Sequence, residues 1–221
     1  MRTLTMAVVC TAAVLVVSLS GEGAWGHSIE NGGSSRSVEL QSAGSPVYHV
    51  RLDTTKGVIV IAVHRDWAPL GADRFRELVM SRYFDNSRFF RVVKGQWAQF
   101  GINGDPAVSK QWRTRTFPDD PNQQSVIRGR VAFAFKDPGG RTTQVYISLR
   151  DNSYQDAQGF APFGEVVTGM AVADALNSQY GESSGGGIRA GKQDPLFDGG
   201  NAFLDREFPR LDKLLHAMVM P

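Results

Sequence analysis

The sequence has 221 residues, of which 42% are hydrophobic and 21% are charged, and its formal net charge is only +2. This length and hydrophobic content are enough for one domain with a sizeable core. The balanced charge gives no reason to expect nucleic acid or an anionic membrane surface as a partner. The four histidines are scattered, and none lies at metal-ligand spacing from another, so no metal site is expected.

The first 26 residues have the pattern of a secretory signal peptide. Arg2 provides a positive start, an almost unbroken apolar run extends over residues 6–19, and small residues follow it. The run is short for a membrane span, so a retained anchor is the less favoured alternative. We expect cleavage near Ala24 or Gly26, export to a secreted, periplasmic or organelle-lumen location, and no stable membrane association afterwards. Because the only cysteine, Cys10, lies inside this segment, the mature protein would contain no thiol.

Residues 27–46 are rich in serine and glycine and have no apolar period, so they are predicted to form a flexible linker. The folded domain is predicted to span residues 47–221. Its predicted elements are, in chain order, strands at 48–52 and 58–63, a helix at 69–82, strands at 88–93, 97–100, 131–135, 145–148 and 163–167, and a helix at 169–178.

The last part of the domain is less regular. Residues 180–200 contain many glycines and are predicted to form a long loop, and residues 211–220 fit either a closing strand or a short helix. Many short strands, two separated helices and glycine turns indicate a mainly β fold, a closed antiparallel barrel capped by two helices. No heptad or repeat suggests a dimer seam, so a monomer is expected.

The motifs of conventional catalysis are missing from the sequence. It has no Gly-x-Ser-x-Gly elbow and no phosphate-binding glycine loop. Asp119 and Asp120 are adjacent, but neighbours on an extended chain point apart, and the prolines on either side mark a turn. We therefore predict a solvated loop for this pair. Acid/base, nucleophilic and metal chemistry all have weak support.

Residues 89–105 are the most informative segment. They are predicted to form a strand, to turn at Lys94 and Gly95, and to return as a second strand. Arg91 and Gln99 would then project from adjacent strands toward a common face. On strand pattern alone, Arg91 would more often be a surface charge. A second segment, residues 129–148, has strands on both sides of a Pro-Gly-Gly turn.

These segments resemble the cyclophilin family of peptidyl-prolyl cis/trans isomerases. Three ordered motifs carry the resemblance, and with the opening hairpin they span residues 48–176: Phe-x-Arg-Val-Val-x-Gly…Gln-x-Gly…Gly-Asp at 89–105, Gly-x-Val-Ala-Phe-Ala followed by Gln-x-Tyr-Ile at 129–147, and Phe-Gly-x-Val-x-x-Gly-Met at 163–170. The resemblance implies an eight-stranded barrel, prolyl isomerase activity on proline-containing polypeptides, and no cofactor.

Prolyl isomerisation suits a site without a base, a nucleophile or a metal, because no covalent bond is broken. The obstacle is amide resonance, a barrier of about 18–20 kcal/mol. A site can lower that barrier by holding the proline ring in an apolar pocket and directing a positive donor at the prolyl nitrogen, whose lone pair localises only in the transition state. Arginine keeps its charge and holds its donors in one plane, and Arg91 is our candidate for this role.

The resemblance also implies roles for five other residues around Arg91. Gln99 would hold the substrate backbone and orient Arg91. Gln144 and the backbone of Ala134 would line the peptide groove. Trp97 and Tyr146 would form walls of the proline pocket.

The chain departs from the family pattern at several pocket positions. The family usually has Phe at Gln96, a smaller apolar residue at Trp97, Asn at Phe135 and Phe at Tyr146. On the pocket rim, Tyr154, Gln155 and Phe160 stand for the usual Trp, Leu and His. The polar residues Gln96 and Gln155 are expected to weaken the grip on the proline ring, since each lost apolar contact costs about 1 kcal/mol. We therefore expect slow or selective isomerisation.

Two alternatives to an active isomerase stay open on the sequence. One is a binding module of cyclophilin fold that grips proline-containing segments of exported clients without turnover, which the altered pocket motivates. The other is an interaction protein that contacts a partner through the glycine-rich residues 180–200. Exchange between the isomers of a bound proline peptide would distinguish the enzyme from the binding module.

Overall fold

One antiparallel sheet runs through the residues that the computed structural model describes, which are 46–181 and 192–221. The predicted signal peptide, and the predicted linker as far as residue 45, lie outside the described residues. The strands are β1 (Val47–Thr54), β2 (Gly57–His64), β3 (Ser87–Arg88), β4 (Arg91–Val93), β5 (Trp97–Phe100), β6 (Arg130–Phe133), β7 (Val145–Ser148), β8 (Pro162–Thr168) and β9 (Lys213–Val219).

The described part of the sheet has nine strands, where eight were predicted. Its strand order is β3-β9-β1-β2-β8-β6-β7-β5-β4. The extra strand arises because the predicted strand 88–93 is interrupted at Phe89 and Phe90. Both rings are buried, Phe89 in the main core and Phe90 in a second apolar cluster, so the chain leaves its pairing with β9 there and begins to pair with β5. Since only these two residues join the edge strands, the sheet must curl.

The helices differ from the prediction mainly in the second half of the domain. Helix α1 (Pro69–Met80) confirms the first predicted helix, whereas the predicted helix at 169–178 is reduced to α3 (Met170–Asp174). Residues 180–200 were predicted to be a loop, but Asp194–Gly200 belong to α4 (Asp194–Glu207). Also present are α2 (Pro106–Arg113) and a 3₁₀ helix at Ser153–Gln158.

The prediction that Asp119 and Asp120 are both solvated is wrong for Asp120, which is buried. Its carboxylate accepts hydrogen bonds from the backbone N–H groups of Leu70 and Gly71, at 3.0 and 2.7 Å. These donors have no partner within the first turn of α1, and the residue before the helix provides no side-chain cap. Asp120 therefore caps α1 from 50 residues away.

Phenylalanines dominate the main core, which lies between the curled sheet and α1. Their rings contact one another at centroid distances from 4.9 to 5.6 Å, and each of these side chains is fully buried: Phe75, Phe84, Phe89, Phe100 and Phe163. Full burial of one such side chain contributes roughly 1.5–3 kcal/mol to stability.

The second apolar cluster holds α4 in place. Phe90 and Ile102 pack there against Leu196, Phe197 and Leu204 of α4. Beside the cluster, the guanidinium of Arg88, which is buried, donates to both carboxylate oxygens of Asp205, at 2.9 Å each from Nη2. In the described ranges, no helix is long and apolar enough to span a membrane.

Candidate functional site

The strand register places three site residues in one row across the sheet, and the row continues to the buried Ala132. Arg91 on β4 pairs with Gln99 on β5, Gln99 pairs with Tyr146 on β7, and Tyr146 pairs with Ala132 on β6. Because directly paired residues project from the same face, the predicted common face for Arg91 and Gln99 is confirmed.

Glycine at position 101 allows the chain to reach the next part of the site. The Gly101 backbone has φ +105°, and a Cβ there would lie only 2.3 Å from the carbonyl oxygen of Thr143. The Thr143 hydroxyl donates to the Gly101 carbonyl at 2.7 Å. Any larger residue would push the two segments apart, so the Gln-x-Gly motif brings Gln144 beside Gln99.

A relay of side-chain amides begins at Arg91. Its Nη1 donates to Gln99 Oε1 at 3.0 Å, and Gln99 Nε2 donates to Gln144 Oε1 at 2.8 Å. Gln144 and Gln193 then form a reciprocal pair, with Nε2 of each donating to Oε1 of the other at 2.8 and 3.0 Å. Gln193 immediately precedes α4, and the sequence interpretation missed it because this part of the chain was assigned to a loop.

The row and the relay border a cavity of about 600 Å³. Strands β4, β5 and β7 and the segment that follows β6 contribute one side of it, and α2 and α4 contribute another. Its described lining includes ten of the eleven predicted site residues, namely Arg91, Trp97, Gln99, Ala134, Phe135, Gln144, Tyr146, Tyr154, Gln155 and Phe160.

Gln96 is the predicted site residue that the structure does not bring to the cavity. It lies in the β4–β5 turn, where its N–H donates to the Val93 carbonyl at 2.9 Å. Its carbonyl accepts from the N–H of Leu149 and from Nδ2 of Asn152, both at 2.9 Å. Since Gln96 is not among the described lining residues of the cavity, this arrangement does not support the expected weakening of the pocket by Gln96.

Gln155 lies in the cavity wall, but its polar oxygen is satisfied. The hydroxyl of Tyr146 donates to Gln155 Oε1 at 2.8 Å, and both residues are buried. Burial raises the pKa of the Tyr146 phenol far above its ordinary value, so the hydroxyl stays protonated and acts as a donor. The two departures from the family's usual Phe and Leu are thus partners of each other. The polar side chain of Gln155, which was expected to weaken the grip on the proline ring, is therefore hydrogen-bonded within the wall.

Two further departures, Phe135 and Phe160, also contact each other. Their ring centroids are 4.5 Å apart, and Phe160 meets Tyr146 edge-on at 5.7 Å. The guanidinium of Arg141, which is buried, lies 3.9 Å from the Phe135 centroid and also pairs with Asp119. These rings form an apolar wall of the kind that can hold a proline ring.

Trp97 supports the guanidinium of Arg91. The Arg91 Cζ lies 5.0 Å from the centroid of the indole, within the range of a cation–π contact. The indole packs against a small apolar cluster formed by Val126, Ala132 and Tyr146. The backbone N–H of Ala134 donates to the Gln144 carbonyl at 2.9 Å, so this groove-lining donor is already used.

Comparison with known proteins agrees with the motifs and the geometry. The sequence model described as "Cyclophilin type peptidyl-prolyl cis-trans isomerase/CLD" matches residues 49–195, more than half of the chain. The chain belongs to the cyclophilin family.

Curated proteins with related sequences are isomerases by name. Peptidyl-prolyl cis-trans isomerase A of Dickeya dadantii is 30% identical over 142 residues, which cover 62% of this chain and 75% of that protein. Peptidyl-prolyl cis-trans isomerase B of Escherichia coli K12 is 27% identical over 158 residues, which cover 67% of this chain and 96% of that protein. The family match and these relatives identify the chain as a peptidyl-prolyl cis-trans isomerase.

Solved cyclophilin structures share the fold at lower identity. A cyclophilin-type isomerase of Cryptosporidium parvum has a TM-score of 0.57 and 17% identity, covering 79% of this chain and 98% of that one. The same parasite protein was solved in the presence of the dipeptide Ala-Pro, with a TM-score of 0.57 and 18% identity. These similarities confirm a mainly β cyclophilin-like fold with a curled antiparallel sheet.

Proposed function

We propose that this cyclophilin isomerises prolyl bonds of exported polypeptides, holding the proline in the aromatic cavity and stabilising the twisted amide with Arg91. The observation that carries the proposal is the 3.0 Å hydrogen bond from Arg91 Nη1 to Gln99 Oε1 at the wall of that cavity. The bond fixes a permanent cation beside an apolar surface.

Arg91 acts on the prolyl nitrogen. As the amide twists, resonance is lost and the nitrogen lone pair localises, which makes the nitrogen a hydrogen-bond acceptor in the transition state only. A guanidinium N–H directed at that nitrogen stabilises the transition state more than either ground state. Gln99 orients the guanidinium through its oxygen, and Gln144 orients Gln99 in turn.

The aromatic wall binds the substrate without taking part in proton transfer. Phe135, Phe160 and the ring of Tyr146 hold the pyrrolidine, while the amide groups of Gln99 and Gln144 face the peptide backbone. The Tyr146 hydroxyl donates to Gln155 and, with its raised pKa, is no base near neutral pH. Isomerisation by this route therefore needs no group that titrates near pH 7.

Replacing Arg91 by alanine tests the mechanism. We expect kcat/KM for a proline tetrapeptide, followed by exchange NMR without a coupled protease, to fall by about 10²-fold or more, the size of effect seen when a transition-state donor is removed. Arg91→Lys keeps the charge without the planar fork and should retain intermediate activity. Arg210→Ala is the control, because Arg210 is exposed and does not line the cavity.

Equal rates for wild type and Arg91→Ala would remove the proposed mechanism. If the peptide shifts the signals of Tyr146 and Gln144 while its isomers do not exchange faster, the protein is a binding module instead.

Export is the second part of the proposal and rests on the signal pattern of residues 1–26. Expression of the full chain with a C-terminal tag in a secreting host tests it. We expect the tagged protein outside the cytoplasm with a new N-terminus near Ala24 or Gly26. An intact N-terminus in the cytoplasmic fraction would remove this part alone.

A further inference from the structure

The helix side of the cavity carries a charged group that none of the three family motifs contains. Arg113 at the end of α2 donates from Nη2 to Asp194 Oδ1 of α4 at 2.6 Å. Phe197 of α4 is buried beside them, and its ring centroid lies 4.2 Å from the Arg113 Cζ. All three residues line the same cavity as Arg91, at the end of the amide relay where Gln193 adjoins Asp194.

The ion pair between Arg113 and Asp194 is weak enough for another carboxylate to replace Asp194. The two side chains are 48% and 70% exposed, and pairs this exposed contribute little net stability because water and salt compete for both charges. The guanidinium, in contrast, also stacks on the buried ring of Phe197, which does not depend on Asp194. A second carboxylate can therefore replace Asp194 while Arg113 stays in place.

The charges around the cavity favour an incoming anion. Among its described lining residues, Arg91, Arg113 and Lys136 are cationic and Asp194 is the anionic one. An acidic side chain that displaces Asp194 would form an ion pair with Arg113 and would also be attracted by Arg91 and Lys136. A basic side chain would be repelled by the same three cations and would find Asp194 already paired with Arg113.

We propose that Arg113, Phe197 and Asp194 form a subsite that selects substrates with an acidic residue near the isomerising proline. The inference rests on the proposed function, since it names the substrate class of the same cavity. The substrate carboxylate forms a bidentate ion pair with Arg113, and the Asp194 side chain moves into solvent. Asp194 competes with the substrate carboxylate for Arg113. This competition weakens the binding of acidic segments and has less effect on neutral and basic ones.

A purely structural role for the ion pair makes a different prediction. Lys110 and Asp198 also form an ion pair between α2 and α4, at 2.9 Å, so Arg113 and Asp194 would then be a second ion pair that links the helices. Removal of such a link lowers stability without changing which peptide binds best. Discrimination between peptides, not stability, is therefore the quantity to measure.

The experiment uses peptides with one central proline and Glu, Gln or Lys at each of the two positions on either side. Dissociation constants come from fluorescence anisotropy, and isomerisation rates come from exchange NMR. At one or more positions we expect Glu to bind about fivefold tighter than Lys, the range of a half-exposed ion pair. Arg113→Gln should abolish that preference, and Asp194→Asn should increase it because the competitor is gone.

Arg115→Gln is the matched control. Arg115 lies two residues further along, is exposed, and contacts Trp112 rather than the cavity. It should leave the Glu/Lys ratio unchanged, which separates a local contact from an effect of net charge. Equal binding of Glu and Lys peptides, or a preference that survives Arg113→Gln, would overturn the subsite.

The two measurements distinguish the subsite from the function on which it rests. Binding that prefers acidic peptides, is lost in Arg113→Gln and occurs without accelerated exchange would support the subsite and contradict the proposed catalysis. Accelerated exchange with no preference at any position would contradict the subsite and leave the catalysis intact.

Discussion

The sheet side and the helix side of the cavity are held together in different ways. On the sheet side, backbone register fixes Arg91, Gln99 and Tyr146 in one row. On the helix side, Arg113 and Asp194 are positioned by side-chain contacts between α2 and α4, which are exposed to solvent. Backbone pairing permits one arrangement, whereas an exposed ion pair can open and re-form.

This difference suits two separate functions within one cavity, catalysis and substrate selection. Groups that act on the twisting amide must keep their geometry, because small displacements reduce the rate strongly. Groups that choose among substrates can exchange partners. Substitutions in the sheet side should therefore change stability or turnover, and those in the helix side should mainly change selectivity. Three sets of variants, at the pair Tyr146 and Gln155, at Gln193 and at His64, test how far this separation holds.

The largest effect is expected from the pair of Tyr146 and Gln155. Tyr146→Phe leaves Gln155 Oε1 buried without its donor, and Gln155→Leu leaves the Tyr146 hydroxyl without its acceptor, so each should lower the free energy of unfolding by about 1–3 kcal/mol. The double variant has apolar side chains at both positions and leaves no polar group without a partner. Its free energy of unfolding should therefore lie within about 1 kcal/mol of that of the wild type. Denaturant unfolding of all four proteins completes the cycle.

Tyr154→Phe is the control for that cycle. Tyr154 is 51% exposed, and its hydroxyl accepts only a long hydrogen bond, 3.5 Å, from Gln155 Nε2. The loss of that hydroxyl should therefore change stability by less than about 0.5 kcal/mol. Simple addition of the two single effects in the double variant would mean that Tyr146 and Gln155 do not act as a pair.

A smaller effect is expected from Gln193, which links the two sides. Gln193→Ala removes the reciprocal bonds to Gln144 and loosens the relay that orients Arg91. We expect kcat to fall about two- to tenfold, the worth of one hydrogen bond, with KM little changed. Gln193→Glu still accepts from Gln144 but no longer donates, so it should restore part of the loss.

Gln111→Ala is the matched control for Gln193, since Gln111 is exposed on α2 and does not line the cavity. A raised KM at constant kcat in Gln193→Ala would show that Gln193 contacts substrate instead of positioning Arg91.

The smallest effect is expected from His64, which lies outside the cavity. Burial lowers the pKa of His64, although the nearby carboxylates of Asp66 and Glu165 oppose the shift and Arg130 adds to it. The unfolded chain therefore binds a proton at a higher pH than the folded protein, so stability is lost as the pH falls below about 6.5, the ordinary histidine value.

His64→Gln should flatten this loss between pH 7 and pH 5 without changing isomerase activity. Thermal unfolding of both proteins across that range provides the measurement. An unchanged slope would show that other groups control acid sensitivity, and a change in activity would contradict the independence of this region from the site.

The sequence predicted most of the sheet side because its information is local. Strand periodicity and the short turn at Lys94 and Gly95 determine which residues face each other, so the pairing of Arg91 with Gln99 followed directly. Trp97–Phe100 and Val145–Ser148 were also placed at their observed bounds. The resemblance to the family then marked ten of the described lining residues.

The helix side escaped prediction because it depends on contacts between distant segments. Gly199 and Gly200 indicated a loop, and Gly200 does leave the helical conformation at φ 54° and ψ −144°. The chain nevertheless continues as α4, since burial of Leu196 and Leu204 in the second cluster compensates for the break. Helix α2 was predictable from the Asp-Pro pair at its start, where Asp105 accepts from the Ala107 N–H at 2.8 Å.

The partners of the altered pocket residues also could not be seen in the sequence. Tyr146 and Gln155 are nine residues apart, and a 3₁₀ helix directs the glutamine side chain back to the strand. Gln193 reaches Gln144 across 49 residues. No local pattern predicts an amide pair of that kind.

The break at Phe89 and Phe90 has a consequence for self-association. It leaves the sheet with edge strands of only two and three residues, Ser87–Arg88 and Arg91–Val93. A long, flat edge is a template on which another chain can add a strand and begin to aggregate. Beyond β3, the Leu215 carbonyl and the Ala217 N–H on the same edge of β9 are already paired with the Asn86 N–H and the Asp85 carboxylate. An incoming strand therefore finds little free backbone there, and the interruption that positions Arg91 also protects the sheet edges from polymerisation.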